Sequence, residues 1–209
     1  MQDLTRIRFI ATNYINLQGM RNLPIGACLL GVTLYVNQLH HALQGWDYGL
    51  LFVIVLLSAS LFFFIDRYYL ANYGHVQRTP QSRKLEWLVS SILAILALAA
   101  FWMDVKNIFQ ISMIGIICAV GILTEYFRLS WFTKEKLMIY YPIGAVILII
   151  ISLLPVLGLP NWWVTFGFKS QLLAISAILG ICTLVASLIG HFVLMQLLSS
   201  MEESHANAI

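Results

Sequence analysis

Charge is what this sequence has least of. Only 10% of its 209 residues are charged, while 60% are hydrophobic. Soluble domains carry about 25% charged residues and 45–50% apolar ones. So few charges exclude a water-facing surface over most of a chain this long, and lipid takes the place of water. Cysteine is scarce too. Cys28, Cys118 and Cys182 each lie in an apolar run and none forms a CxxC pair, which excludes a disulfide framework and a thiolate zinc site and leaves three small core residues. Alternation with a period of two is absent, which excludes a membrane β-barrel. Catalytic signatures are missing as well. There is no HExxH, no GxSxG, no phosphate-binding glycine loop and no aspartate-rich lipid-transferase motif, and the acidic pair Glu202-Glu203 lies in the polar tail. No enzyme activity, catalytic residue, metal or cofactor is therefore expected. The net charge of +3 comes from scattered residues rather than a basic patch, so nucleic acid is not expected as a partner.

What is present is a series of apolar runs: Leu23 to Leu39, Tyr48 to Ile65, Trp87 to Met103, Ile108 to Thr124, Leu137 to about Leu159, and Gln171 to Ser200. A helix rises about 1.5 Å per residue, so about 20 residues cross the hydrocarbon core. The runs predict an all-α polytopic membrane protein with six transmembrane helices. Residues 1–22 form an amphipathic inner-surface segment, 23–200 the transmembrane domain and 201–209 a polar cytoplasmic tail. Only Asp104 to Asn107 separates the third and fourth runs, which predicts a tight hairpin. The first twenty residues contain Asp3, Arg6 and Arg8 and no continuous apolar core, so the first span is expected to act as an uncleaved anchor.

Orientation follows from basic residues. Six spans put Arg6, Arg8, Arg21, Arg67, Arg78, Arg83, Lys84, Arg128, Lys134 and Lys136 on one side and only Lys106 and Lys169 on the other. That ten-to-two split places both termini in the cytoplasm. Trp46, Tyr48, Trp102, Trp162 and Trp163 fall at the outer ends, and Tyr68, Tyr69, Tyr73, Trp87, Trp131, Tyr140 and Tyr141 at the inner ends, as interfacial belts require. Leu4, Ile7, Ala11, Tyr14 and Ile15 share one face of the first segment, which suits a helix lying on the inner membrane surface.

Four features are candidates for function. Asp66, Arg67, Glu125, Arg128 and His191 fall near one depth at the inner ends of the even spans. Charges there need partners, because each costs on the order of 2.5–3.5 kcal/mol in hydrocarbon, and pairing of Asp66 and Glu125 with Arg67 and Arg128 makes a polar ring. Ser176, Gly180, Thr183, Ser187 and Gly190 recur at spacings of four and three along the last run, a face that lets another helix approach closely. His191 beside it is expected to hydrogen-bond a neighbouring helix. The inner loop carrying Tyr73, Gly74, His75, Arg78, Arg83 and Lys84 is the longest polar stretch and the candidate dock for a cytoplasmic partner. Tyr73-Gly74 reads as a helix stop and Pro80 as the start of the next helix. The outer stretch with Pro155, Pro160 and Trp162-Trp163 reads as an interfacial or re-entrant segment. His40 and His41 point about 100° apart on a helix and do not chelate one metal by themselves.

NYINLQGMRNLPIG (Asn13 to Gly26), DRYYLANYGHV (Asp66 to Val76) and LIGHFVLMQLL (Leu188 to Leu198) together resemble a group of uncharacterised bacterial six-helix integral membrane proteins with an aromatic-glycine-valine inner loop. That resemblance implies the bacterial cytoplasmic membrane and no particular activity. The order of a surface helix, six spans, a substantial inner loop after the second and an interrupted outer loop before the sixth is similar to the permease subunits of ATP-binding-cassette exporters. There the inner loop contacts a separate ATPase. The reading is a transporter-type membrane subunit for a small or amphiphilic molecule, working by alternating access along the second, fourth and sixth helices with a partner protein. The competing reading is a membrane sensor or regulator signalling through its inner loops, or a structural subunit forming a homodimer through the sixth helix. Expected partners are membrane lipid and a cytoplasmic ATPase or regulator.

Overall fold

The computed structural model describes residues 17, 19–39, 43–73, 80–133 and 140–206, with side chains at all of these except 73, 80–83, 128–129, 131–133 and 198–206. Among the described residues the regular structure is entirely helical. A 3-10 turn, Gly19–Arg21, leads into α1 (Leu23–Gln38), followed by α2 (Gly45–Tyr73), α3 (Pro80–Val105), α4 (Met113–Thr133) and α5 (Tyr140–Leu153). A single turn, α6 (Trp162–Thr165), precedes α7 (Gln171–Ala206). Three helices are long and apolar enough to cross a membrane: Gly45–Asn72, Lys84–Val105 and Gln171–Leu197. They mark the chain as a membrane protein. Met113–Phe127 and Tyr140–Leu153 are shorter apolar helices.

The helices pack in a row, with α2 against α1, α1 against α7, α7 against α5, α5 against α4 and α4 against α3. Each neighbour runs antiparallel to the last. Along the α1–α7 seam, Gly19 meets Ser187, Gly26 meets Gly180, and Asn37 meets Gly167 and Lys169. Along this seam the turn before α1 lies beside His191 and the far end of α1 beside the start of α7. The row leaves large apolar faces outside: Phe63 and Phe64 on α2 and Ile95 and Leu98 on α3 are all more than 60% exposed. In lipid such faces carry no hydrophobic penalty, so helix association rests on close packing and hydrogen bonds.

Local chemistry accounts for the helix ends. Pro24 sits in the first turn of α1, where a missing amide hydrogen costs nothing. Asp47 accepts from the Gln44 amide at 2.7 Å and from the Tyr35 hydroxyl at 2.7 Å. It therefore caps α2 and ties it to α1 through a side chain only 4% exposed. α5 ends two residues before Pro155, which cannot donate to the helix ladder and biases Leu154 away from helical angles. α2 ends at Tyr73 and α3 begins at Pro80, as the stop and start signals require.

Three departures from the hydropathy reading have local causes. α4 starts at Met113 rather than Ile108, and residues 106–112 replace the expected tight hairpin. The reason is Asp104. Its carboxylate accepts from Ser112 Oγ at 2.6 Å, the Met113 amide at 2.7 Å and the Ile114 amide at 3.1 Å, and Asn107 turns the chain with φ +48°. α7 continues past Ser200 to Ala206, because the polar tail residues are good helix formers and need no apolar face to extend an existing helix. The segment before α1 does not all lie on a surface: Leu17 is fully buried with Tyr69 and Leu194. Residues 1–16, with most of the proposed amphipathic face, lie outside the described residues, as do His40 and His41.

Candidate functional site

The His191 end is organised by the turn before α1. Gly19 is buried against α7, and a Cβ there would stand 1.8 Å from the Ser187 carbonyl oxygen and 2.7 Å from the His191 amide nitrogen. Only glycine permits that approach. Arg21, two residues on, is drawn to α2. Its Nε lies 2.9 Å from Asp66 Oδ1, and its guanidinium carbon stands 5.0 Å from the centroid of the Phe62 ring. The contact is an ion pair by distance, without the alignment of a hydrogen bond. Below it, Tyr69 is fully buried and its hydroxyl shares a 2.7 Å hydrogen bond with His191 Nδ1. The two rings meet edge to face at 85°. α2, the turn and α7 are thereby clamped together.

The polar ring expected from sequence resolves into separate parts. Asp66 pairs with Arg21, which the turn before α1 brings to the same depth. Arg67 is exposed on the outer side of α2, and the Arg128 side chain lies outside the described atoms. Glu125 stands on α4, away from Asp66, close enough to Tyr141 for its charge to act on the phenol. His191 bonds to Tyr69 on a neighbouring helix.

The small-residue face of α7 is turned to the chain's own α1. A Cβ on Gly180 would meet the Gly26 carbonyl oxygen and the Leu30 amide nitrogen, both at 3.1 Å. Ser187 and Gly190 are buried, Ser176 and Thr183 partly so, and the Thr183 hydroxyl donates to the Leu179 carbonyl at 2.8 Å. Of the candidate partner loop, Gly74, His75 and Arg78 lie outside the described residues. So do the side chains of Tyr73 and Arg83, while Lys84 is exposed at the start of α3.

Between these elements lies a partly open cavity of about 220 Å³. Its lining comes from Gly19 and Asn22 before α1, Ile122 of α4, Tyr140, Tyr141 and Gly144 of α5, and Leu179, Cys182, Thr183, Ala186 and Ser187 of α7. Among the described residues, none of α2 lines it. Two lining hydroxyls, Ser187 Oγ and Tyr140 Oη, are buried without a well-aligned hydrogen bond, the latter beside the Tyr141 hydroxyl. Unpartnered buried hydroxyls are uncommon and costly. The Asn22 side chain makes no capping bond to α1 and faces the same space.

Sequence reasoning missed this cavity. It placed Tyr140 and Tyr141 in an interfacial belt and counted Arg21 only for topology. A signal did exist for Arg21: Asp66 needed a cation at its own depth, and Arg21 precedes the first helix by one turn. The pairing of α5 with α4 and α7 around a void had none.

A second cavity, of about 230 Å³, opens at the other end beside Asp104, Asn107, Phe109, Ser170 and Gln171. Its carboxylate is already used as the cap of α4. Among the described residues no group of three His, Cys, Asp or Glu side chains is placed to hold a metal ion. Comparison with known proteins finds no matching family model, no similar curated protein and no similar solved structure.

Proposed function

We propose that the chain is a six-span membrane subunit of transporter type that takes a small or amphiphilic molecule into the cavity between α4, α5 and α7, with both termini and the His191 end in the cytoplasm. The observation that carries the reading is a mainly apolar void with a few hydroxyls in its wall, beside α7, the helix joining α1 and α2 to α3, α4 and α5. The strict antiparallel order and the ten-to-two split of basic residues support six crossings. α1, α4 and α5 need only a few flanking residues each to cover the hydrocarbon thickness. Alternating access then works at the α5–α7 seam, where the cavity opens, while the glycine-packed α1–α7 seam moves as one body. A cytoplasmic ATPase or regulator docks at the loop between α2 and α3.

Filling the void tests this. A Cβ on Gly144 meets nothing within 4 Å, so Gly144→Leu adds volume at the cavity wall without a backbone clash. Purified wild-type protein in nanodiscs is expected to retain a small molecule or lipid, identified by mass spectrometry, that the variant loses. Identical retained species in both would refute the site. Counterflow of the identified molecule in proteoliposomes then separates transport from sensing.

A further inference from the structure

We propose that the cavity selects a cationic amphiphile, an alkylammonium headgroup on an apolar tail; the inference rests on the cavity being the ligand site. Among the described residues the lining offers hydroxyls, the Asn22 amide and two tyrosine rings but no positive charge. Ser187, only 3% exposed, presents a hydroxyl without an aligned partner, to whose oxygen an ammonium group supplies an N–H donor, and the Tyr140 hydroxyl lies beside that of Tyr141. Tyr140 and Tyr141 stand with ring centroids 4.7 Å apart at 34°, which concentrates two aromatic quadrupoles at one wall. Glu125, one turn beyond Ile122 on α4, stands near Tyr141.

Among the described residues no Lys or Arg lines the cavity. Arg21 falls between two lining residues in sequence but turns the other way, held by Asp66 and Phe62. An anionic headgroup would lose its water and meet no cation, an unfavourable exchange at low dielectric. Size agrees as well. With about 30 Å³ per water in the liquid, a 220 Å³ space holds a headgroup and a few carbons against Ile122 and Leu179. The rest of the tail extends into lipid.

Cys182 lines the cavity and reports on its occupancy. In a Cys28→Ser, Cys118→Ser background in nanodiscs, the rate of Cys182 alkylation by N-ethylmaleimide is measured with dodecylammonium, dodecyl sulfate or dodecanol. Dodecylammonium is expected to slow alkylation at least fivefold and the other two to leave it unchanged. Glu125→Gln is expected to raise the concentration for half-protection about tenfold, and Gly144→Leu to slow alkylation with no probe present. Equal protection by dodecyl sulfate, or an unaltered response in Glu125→Gln, overturns the cationic class and leaves the cavity as a site. No protection by any probe together with unchanged alkylation in Gly144→Leu overturns the site itself.

Discussion

At the scale of single residues, carboxylates do most of the local organising, and each does it by accepting from a group that the chain cannot otherwise satisfy. Asp104 takes the first amides of α4 together with Ser112, a direct use of unsatisfied donors at a helix start. Asp47 does the same for α2 while holding Tyr35. Replacing Asp104 by Ala removes the cap and two backbone partners. A loss of about 1–2 kcal/mol is expected, read as a lower midpoint in detergent-solubilised unfolding, and an unchanged midpoint would mean that water replaces the cap at no cost. Nothing in the sequence marked Asp104 as a cap, because its partners lie eight to ten residues ahead and the capping rules apply to adjacent positions.

At the scale of elements, glycine decides which helices touch. Gly26 and Gly180 let α1 and α7 meet backbone to backbone, and Gly19 lets the preceding turn press on Ser187. Gly31 on the same helix as Gly26 has open space around its Cβ position. Gly19→Ala is therefore expected to destabilise the fold by about 3 kcal/mol, the upper range for overpacking, since the obstructing atoms are backbone and cannot rotate away. Gly31→Ala is expected to be neutral or slightly stabilising, because alanine is the better helix former. Thermal unfolding of both variants tests the contrast, and equal behaviour would contradict the packing. The spacing of small residues on α7 was legible in the sequence. Its partner was not: the same stripe suits a second copy of the chain, and only the fold assigns it to α1.

At the scale of the whole molecule, the described helices pack as a row of antiparallel neighbours in which α7 joins α1 to α5. On the proposed topology Lys106, exposed after α3, faces outward, and Lys84, exposed near the start of α3, faces the cytoplasm. In intact cells, Lys106→Cys is expected to react with a membrane-impermeant maleimide, and Lys84→Cys only after permeabilisation. The reverse pattern would invert the topology. The sequence by itself determined that the chain is helical, lives in lipid and carries its apolar runs in a fixed order, because hydropathy and charge act on each segment independently. From the sequence, Asp66 was expected to pair with Arg67 or Arg128, and His191 to hydrogen-bond a neighbouring helix. Only the tertiary structure decided that those partners are Arg21 and Tyr69, that Glu125 stands apart beside Tyr141, and that a void lies between α4, α5 and α7. Pairing and cavities depend on which faces of separate helices meet, and that is a property of packing between segments, which no local pattern encodes.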